Sequence, residues 1–126
     1  VLGVHYEGPF VNEKQCGALR TRFFRNFKNG GELGELPRLR HREAVHLITL
    51  APEVEGGIEL IRELRKGNWI PSIGHTRADV PTLDAAFEAG ARHMTHFFNA
   101  MTGVHHREVG VAGWGLMKKE VSCDII

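Results

Sequence analysis

The sequence predicts an α/β fold whose strands run parallel. Two observations carry that expectation. From Val45 to His96, short apolar runs alternate with amphipathic helical stripes over short links. A β-α-β-α-β order of this kind implies right-handed crossovers and hence parallel strands. In addition, three apolar runs each end in a metal-capable side chain followed by a turn. These are the runs ending at Glu7, at His75 and at His96. Together the three residues would form a two-histidine, one-carboxylate site with room for a water.

His75 and His96 occupy equivalent points of successive units, 21 positions apart (96 − 75). A flat doubly wound sheet and a (β/α)8 barrel both accept that period. The first loop lacks a G-x-G-x-x-G fingerprint, which weighs against dinucleotide binding. A barrel collects ligands from several strand ends around one axis. The reading is therefore one domain, residues 1–126, forming part of a TIM-like (β/α)8 barrel and incomplete at both ends.

The elements follow in order. Val1 to His5 reads as a buried parallel strand, stopped by Gly8-Pro9. His5 and Glu7 are two apart, so both point to one side while Tyr6 points away. Glu7 is expected either to ligate a metal or to pair with a buried Arg or Lys. Residues 11–44 are broken by Asn12, Gly17, Asn29-Gly30-Gly31, Gly34 and Pro37, and no long helix is expected there. A connection of that length is usually functional. Its Arg20-Thr21-Arg22-Phe23-Phe24-Arg25 run mixes basic and aromatic side chains, but the basicity is local. A solvated surface or a contact to a small anion is expected rather than nucleic acid.

Val45 to Leu50 reads as a strand. Ile58, Leu60-Ile61 and Leu64 give a helical stripe that stops at Gly67. Trp69 to Ile73 is the next strand. Asp79 can cap a helix with Pro81 in its first turn, with Leu83, Ala86 and Phe87 on one face and Gly90 at its end. Ala91 to His96 follows as a strand, Leu116 to Lys119 as a short helical turn, and Val121 to Ile126 as a strand. A sheet of about five strands cannot close a barrel. Its apolar strand faces are expected to lack half their cover, leaving Leu2, Leu47, Ile48 and Ile125 partly exposed.

Composition narrows the class. The chain is 42% hydrophobic and 25% charged, with a formal net charge of +1. That is an ordinary globular balance, with no mandate for nucleic acid or an anionic membrane. Cys16 and Cys123 have no metal or redox spacing and read as free thiols of a reducing compartment, hence a cytoplasmic location.

Five stretches together resemble the N-acetylglucosamine-6-phosphate deacetylase family of the amidohydrolase superfamily. They are His5-Tyr6-Glu7-Gly8-Pro9-Phe10, Thr49-Leu50-Ala51-Pro52-Glu53, Gly74-His75-Thr76, Thr95-His96-Phe97-Phe98-Asn99-Ala100-Met101 and His106-Arg107-Glu108-Val109-Gly110. Each is weak alone; in register and in order they cover nearly the whole chain. The resemblance implies a distorted TIM barrel and deacetylation of an amino-sugar phosphate in amino-sugar metabolism. It implies Glu7, His75 and His96 as ligands of a catalytic divalent ion, with zinc expected and iron also accepting this set. Asn99, Ala100 and Arg107 are implied as substrate contacts. His5 is expected to support the ligands from behind rather than to act as a base. The parent protein is expected to be a homodimer or higher homo-oligomer.

Three departures stand out. Leu19 occupies the place where the family usually has a histidine near the substrate carbonyl. Val109 replaces a common proline. The family's catalytic aspartate, the general acid/base, falls beyond Ile126, so no catalytic residue is expected within the chain and the fragment is expected to be inactive alone. A different N-acyl substrate, or a non-catalytic sugar-phosphate binder on the same scaffold, are the alternatives.

Overall fold

The computed structural model describes residues 2–126. Five parallel strands pair in sequence order: β1 (Gly3–Glu7), β2 (Val45–Leu50), β3 (Ile70–Ile73), β4 (His93–Met94) and β5 (Ser122–Cys123). Helices α2 (Gly57–Lys66), α3 (Val80–Ala89) and α4 (Gly110–Met117) pack beside them, and a single turn, α1 (Gly31–Gly34), interrupts the first long connection. The expected α/β fold with a parallel sheet is observed.

Local signals explain the well-placed elements. Leu60, Ile61 and Leu64 of α2 are fully buried, and the helix ends at Gly67. In α3 the Asp79 carboxylate accepts from the Thr82 amide at 2.9 Å, Pro81 lies in the first turn, and Gly90 closes the helix at φ 111°. At that φ an L side chain is strained, which is why glycine is there.

Several expectations need correction. The first strand runs through Glu7, not only to His5, while Val1 lies outside the described residues. The strand expected over Ala91–His96 is only His93–Met94, and that expected over Val121–Ile126 is only Ser122–Cys123. The chain leaves the extended region at His96, φ 37°, and cannot continue the ladder there. The turn expected at Leu116–Lys119 is the tail of the eight-residue α4. Three glycines in that segment argue against a helix by propensity. Packing overrides it, because a Cβ on Gly115 would lie 2.6 Å from both Met94 Sδ and Phe97 Cε2. The glycine lets α4 approach the sheet closely enough to bury Val111, Ala112 and Trp114.

Parallel register sorts the strand residues into two faces. Ile48, Leu50, Ile73 and Met94 point to the helix layer and are 0% exposed. Ile48 therefore contradicts the expected partial exposure, whereas Leu2 and Ile125 are 91% and 71% exposed and Leu47 is half-buried. The other face is not a bare apolar surface. Toward the strand ends it carries His5, Thr49, Ser72 and Thr95. A chain of hydrogen bonds joins them: His5 Nε2 with Thr49 Oγ1 at 2.7 Å, Thr49 with Thr95 at 2.7 Å, and Thr95 with Ser72 at 2.6 Å. Three buried hydroxyls thus satisfy one another. Both cysteines are free. Among the described residues, no helix is long and apolar enough to cross a membrane.

Candidate metal centre

Glu7 is the last residue of β1, and His75 and His96 each lie two residues past the ends of β3 and β4. In a flat sheet β1 and β4 would be about 14 Å apart, three strand spacings. The side chains nevertheless meet. Glu7 Oε1 is 2.6 Å from His75 Nε2 and 2.9 Å from His96 Nε2, and the two Nε2 atoms are 3.0 Å apart. The sheet must therefore curl toward this point. The loop turns do the rest: His75 and His96 adopt left-handed backbone conformations, φ 48° and 37°. Non-glycine residues there cost about 1–3 kcal/mol each, and such strain persists where surrounding contacts hold it and commonly marks functional sites.

The donor chemistry fits a cation. The Gln15 carbonyl lies 2.6 Å from His75 Nδ1, and a carbonyl can only accept. Nδ1 therefore carries a proton, and in the neutral form of the ring the lone pair lies at Nε2. That lone pair faces a carboxylate oxygen and a second imidazole nitrogen. Three acceptors aimed at one another repel unless a proton or a cation lies between them. Donor atoms of Glu7, His75 and His96 all lie within 4.8 Å of one another, a spacing from which modest opening reaches bonds of about 2.0–2.2 Å to a divalent ion. Burial is graded: the side chains of His75 and His96 are 4% and 12% exposed, that of Glu7 42%. The open flank is beside the carboxylate, where a water or substrate has access.

Partial burial pushes the Glu7 carboxyl up, but wherever a proton lies between the carboxylate and the His75 and His96 rings their hydrogen bonds and charge outweigh burial and hold the group below its ordinary value. Burial lowers the pKa of His5, opposed by the Asp124 and Glu7 charges, so it stays neutral beside Thr49. His96 Nδ1 is buried and has no hydrogen-bond partner among the described residues.

No family model matches the chain. Individual relatives do. The chain is 44% identical to N-acetylglucosamine-6-phosphate deacetylase of Bacillus subtilis (strain 168), over 92% of its own length and 29% of the relative. It is 38% identical to N-acetylgalactosamine-6-phosphate deacetylase of Escherichia coli O157:H7, over all of this chain and 33% of that protein. The crystal structure of N-acetylglucosamine-6-phosphate deacetylase from Thermotoga maritima superposes with a TM-score of 0.86 at 33% identity, over 99% of this chain and 32% of the other. The chain is a homologue of N-acetylglucosamine-6-phosphate deacetylases. It spans about a third of the length of the relatives it matches.

The remaining residues expected from the deacetylase resemblance are distributed around the centre. Asn99 and Ala100 lie on the turn that follows His96, where the Asn99 amide donates to the His96 carbonyl at 2.9 Å and Ala100 has φ 50°. Leu19 lines a cleft that also contains Glu7, Arg20 and Phe23. Arg107 is exposed on the loop before α4. It lines a hollow with Val104, Val109 and Leu116 that includes none of Glu7, His75 and His96. His5 hydrogen-bonds Thr49 rather than Glu7, His75 or His96.

Two residues escaped the sequence reading. Asp124 follows β5, and its carboxylate accepts from the His96 amide and meets His93 Nε2 at 3.3 Å. Its position right after a strand, two residues past Ser122, was the available signal. Glu53 was quoted only as part of a motif.

Proposed function

We propose that the protein containing this chain removes the acetyl group of N-acetylglucosamine 6-phosphate, giving glucosamine 6-phosphate and acetate. The observation that carries this reading is the convergence of the Glu7, His75 and His96 donor atoms in a homologue of such deacetylases. A TIM-like barrel, completed by residues beyond this chain, is part of the proposal. So are a cytoplasmic location and a homo-oligomeric parent.

A divalent ion at this centre, zinc being the expected one, supplies a Lewis acid for the acetyl carbonyl and acidifies a water. The chain's own residues set that chemistry. Two neutral imidazoles and one carboxylate leave a dication with a net charge of +1. The proton on His75 Nδ1 is held by Gln15, which fixes Nε2 as the ligand atom and raises its basicity. Asn99 and Ala100, on the turn after His96, bind the sugar. Arg107 offers a planar fork for the phosphate. The carboxylate that takes the proton from water and returns it to the amine lies beyond Ile126, so this chain alone is inactive.

The test is acetate release from the full-length protein with zinc, using N-acetylglucosamine 6-phosphate and N-acetylgalactosamine 6-phosphate side by side. Faster release from the first supports the reading. Faster release from the second favours a different N-acyl sugar, a reading supported by the 38% identical relative of that name. No release from either removes deacetylation.

Two substitutions refine it. Arg107→Lys keeps the charge but loses the bidentate fork. It is expected to raise KM for the phosphorylated sugar by about tenfold, or 1.4 kcal/mol, and to leave unphosphorylated N-acetylglucosamine nearly unaffected. Equal losses on both remove Arg107 from the phosphate site. Leu19 cannot donate a hydrogen bond to a carbonyl. Leu19→His is expected to raise kcat severalfold; an unchanged or lower kcat shows that this loop has another donor in place.

A further inference from the structure

We infer that Glu53 is a positioning residue, a carboxylate clamp between three strand-end loops that locks the tautomer and backbone of His75. Glu53 follows β2, the strand between those that carry Glu7 and His75. It contributes nothing to the metal centre itself. Its Oε1 accepts from Asn12 Nδ2 at 2.8 Å and from the Arg77 amide at 2.7 Å, while Oε2 accepts from Thr76 Oγ1 at 2.5 Å. One carboxylate thus ties the loop after β1 to the loop after β3.

Both tethered loops converge on His75. Asn12 donates its own amide to the His75 carbonyl at 3.0 Å. Its side chain caps the turn Glu13–Gln15, accepting from the Lys14 amide at 2.8 Å, and that turn aims the Gln15 carbonyl at His75 Nδ1. On the other side Thr76, fully buried, is held by Glu53 through its hydroxyl and by the Ala100 carbonyl through its amide at 3.1 Å. His75 lies between these anchors at φ 48°. A left-handed histidine reverts toward ordinary backbone unless such contacts over-determine it. Without the clamp, Asn12 and the Gln15 carbonyl are free to drift, and with them the acceptor that keeps the proton on Nδ1. A single negative charge accepting three donors from two loops is a stronger tie than neutral bonds would be.

The inference rests on the metal-centre reading only for its functional consequence. Its first readout needs no metal. In zinc-free protein carrying imidazole-15N histidine, His75 is expected as the Nδ1–H tautomer. Glu53→Ala is expected to give a mixture of tautomers and to weaken zinc binding by about 10–100-fold. Glu53→Gln keeps the shape and one strong acceptor; it is expected to retain the tautomer and most of the affinity, a rescue that general loosening of the fold would not produce. Wild-type tautomer and affinity in Glu53→Ala overturn the inference. If the wild type itself fails to bind zinc, the metal reading falls, while the tautomer comparison still decides the role of Glu53. Should Glu53→Ala not fold by circular dichroism, Asn12→Asp, which keeps the acceptor for the Lys14 amide and removes only the donor to Glu53, carries the test. A mixed tautomer supports the clamp, and an unchanged spectrum overturns it.

Discussion

Replacing His75 with alanine is expected to weaken zinc binding by about 10²–10³-fold. Apparent zinc free energies in four-donor protein sites run to about 10–16 kcal/mol, or roughly 2.5–4 kcal/mol for each donor. Each 1.4 kcal/mol is tenfold in affinity. His75 has the most deeply buried side chain of the three candidate ligands, 4% exposed, and a proton is already placed on its far nitrogen. Its loss therefore removes a preorganised donor that neither Glu7 nor His96 can replace. Competition against a chromogenic chelator measures the effect. His46→Ala is the control, because His46 packs against Trp69 on the helix-covered face. If His75→Ala binds zinc as tightly as the wild type, the ion is not held where Glu7, His75 and His96 converge.

The second large effect is on stability. Zinc at a free concentration 100 times its dissociation constant should stabilise the folded chain by about 2.7 kcal/mol. For a chain of this size that corresponds to a rise in Tm of roughly 10 °C. The sign follows from the site: the folded chain brings three metal-capable atoms to one point, and an unfolded chain does not. Protons compete with zinc for the same lone pairs, so the shift should be smaller at pH 5.5 than at pH 7.5. Thermal melts at pH 7.5 and pH 5.5, with and without zinc, measure both effects. A Tm indifferent to zinc at pH 7.5 would sink the linkage, and an equal shift at both pH values would show binding through groups other than the imidazoles.

Much of the frame was legible in the residues alone. The bounds of β2, the burial stripe of α2, the Asp79 cap and the Gly90 stop of α3 are matters of local periodicity and backbone chemistry. They depend on neighbours within a few positions, which a sequence displays directly. The three candidate ligands were legible for a related reason: each lies at the end of an apolar run, and such ends share one side of a parallel sheet. Leu116–Lys119 shows where this fails. Gly115, which lowers helix propensity, is what lets α4 approach Met94 and Phe97, and that advantage exists only once the sheet is in place.

The polar face and the clamp belong to the same class. Whether Thr49, Ser72 and Thr95 meet depends on inter-strand register between residues 23 and 46 positions apart. The sequence determined an alternating parallel α/β unit and the identity of three metal-capable strand ends. Only the tertiary structure decided that those ends meet at one point, that His75 offers Nε2 rather than Nδ1, and that Glu53 binds the loops behind it. Periodicity and capping are settled by covalent neighbours. The direction of a lone pair is settled by whichever distant carbonyl the fold brings to the other side of the ring.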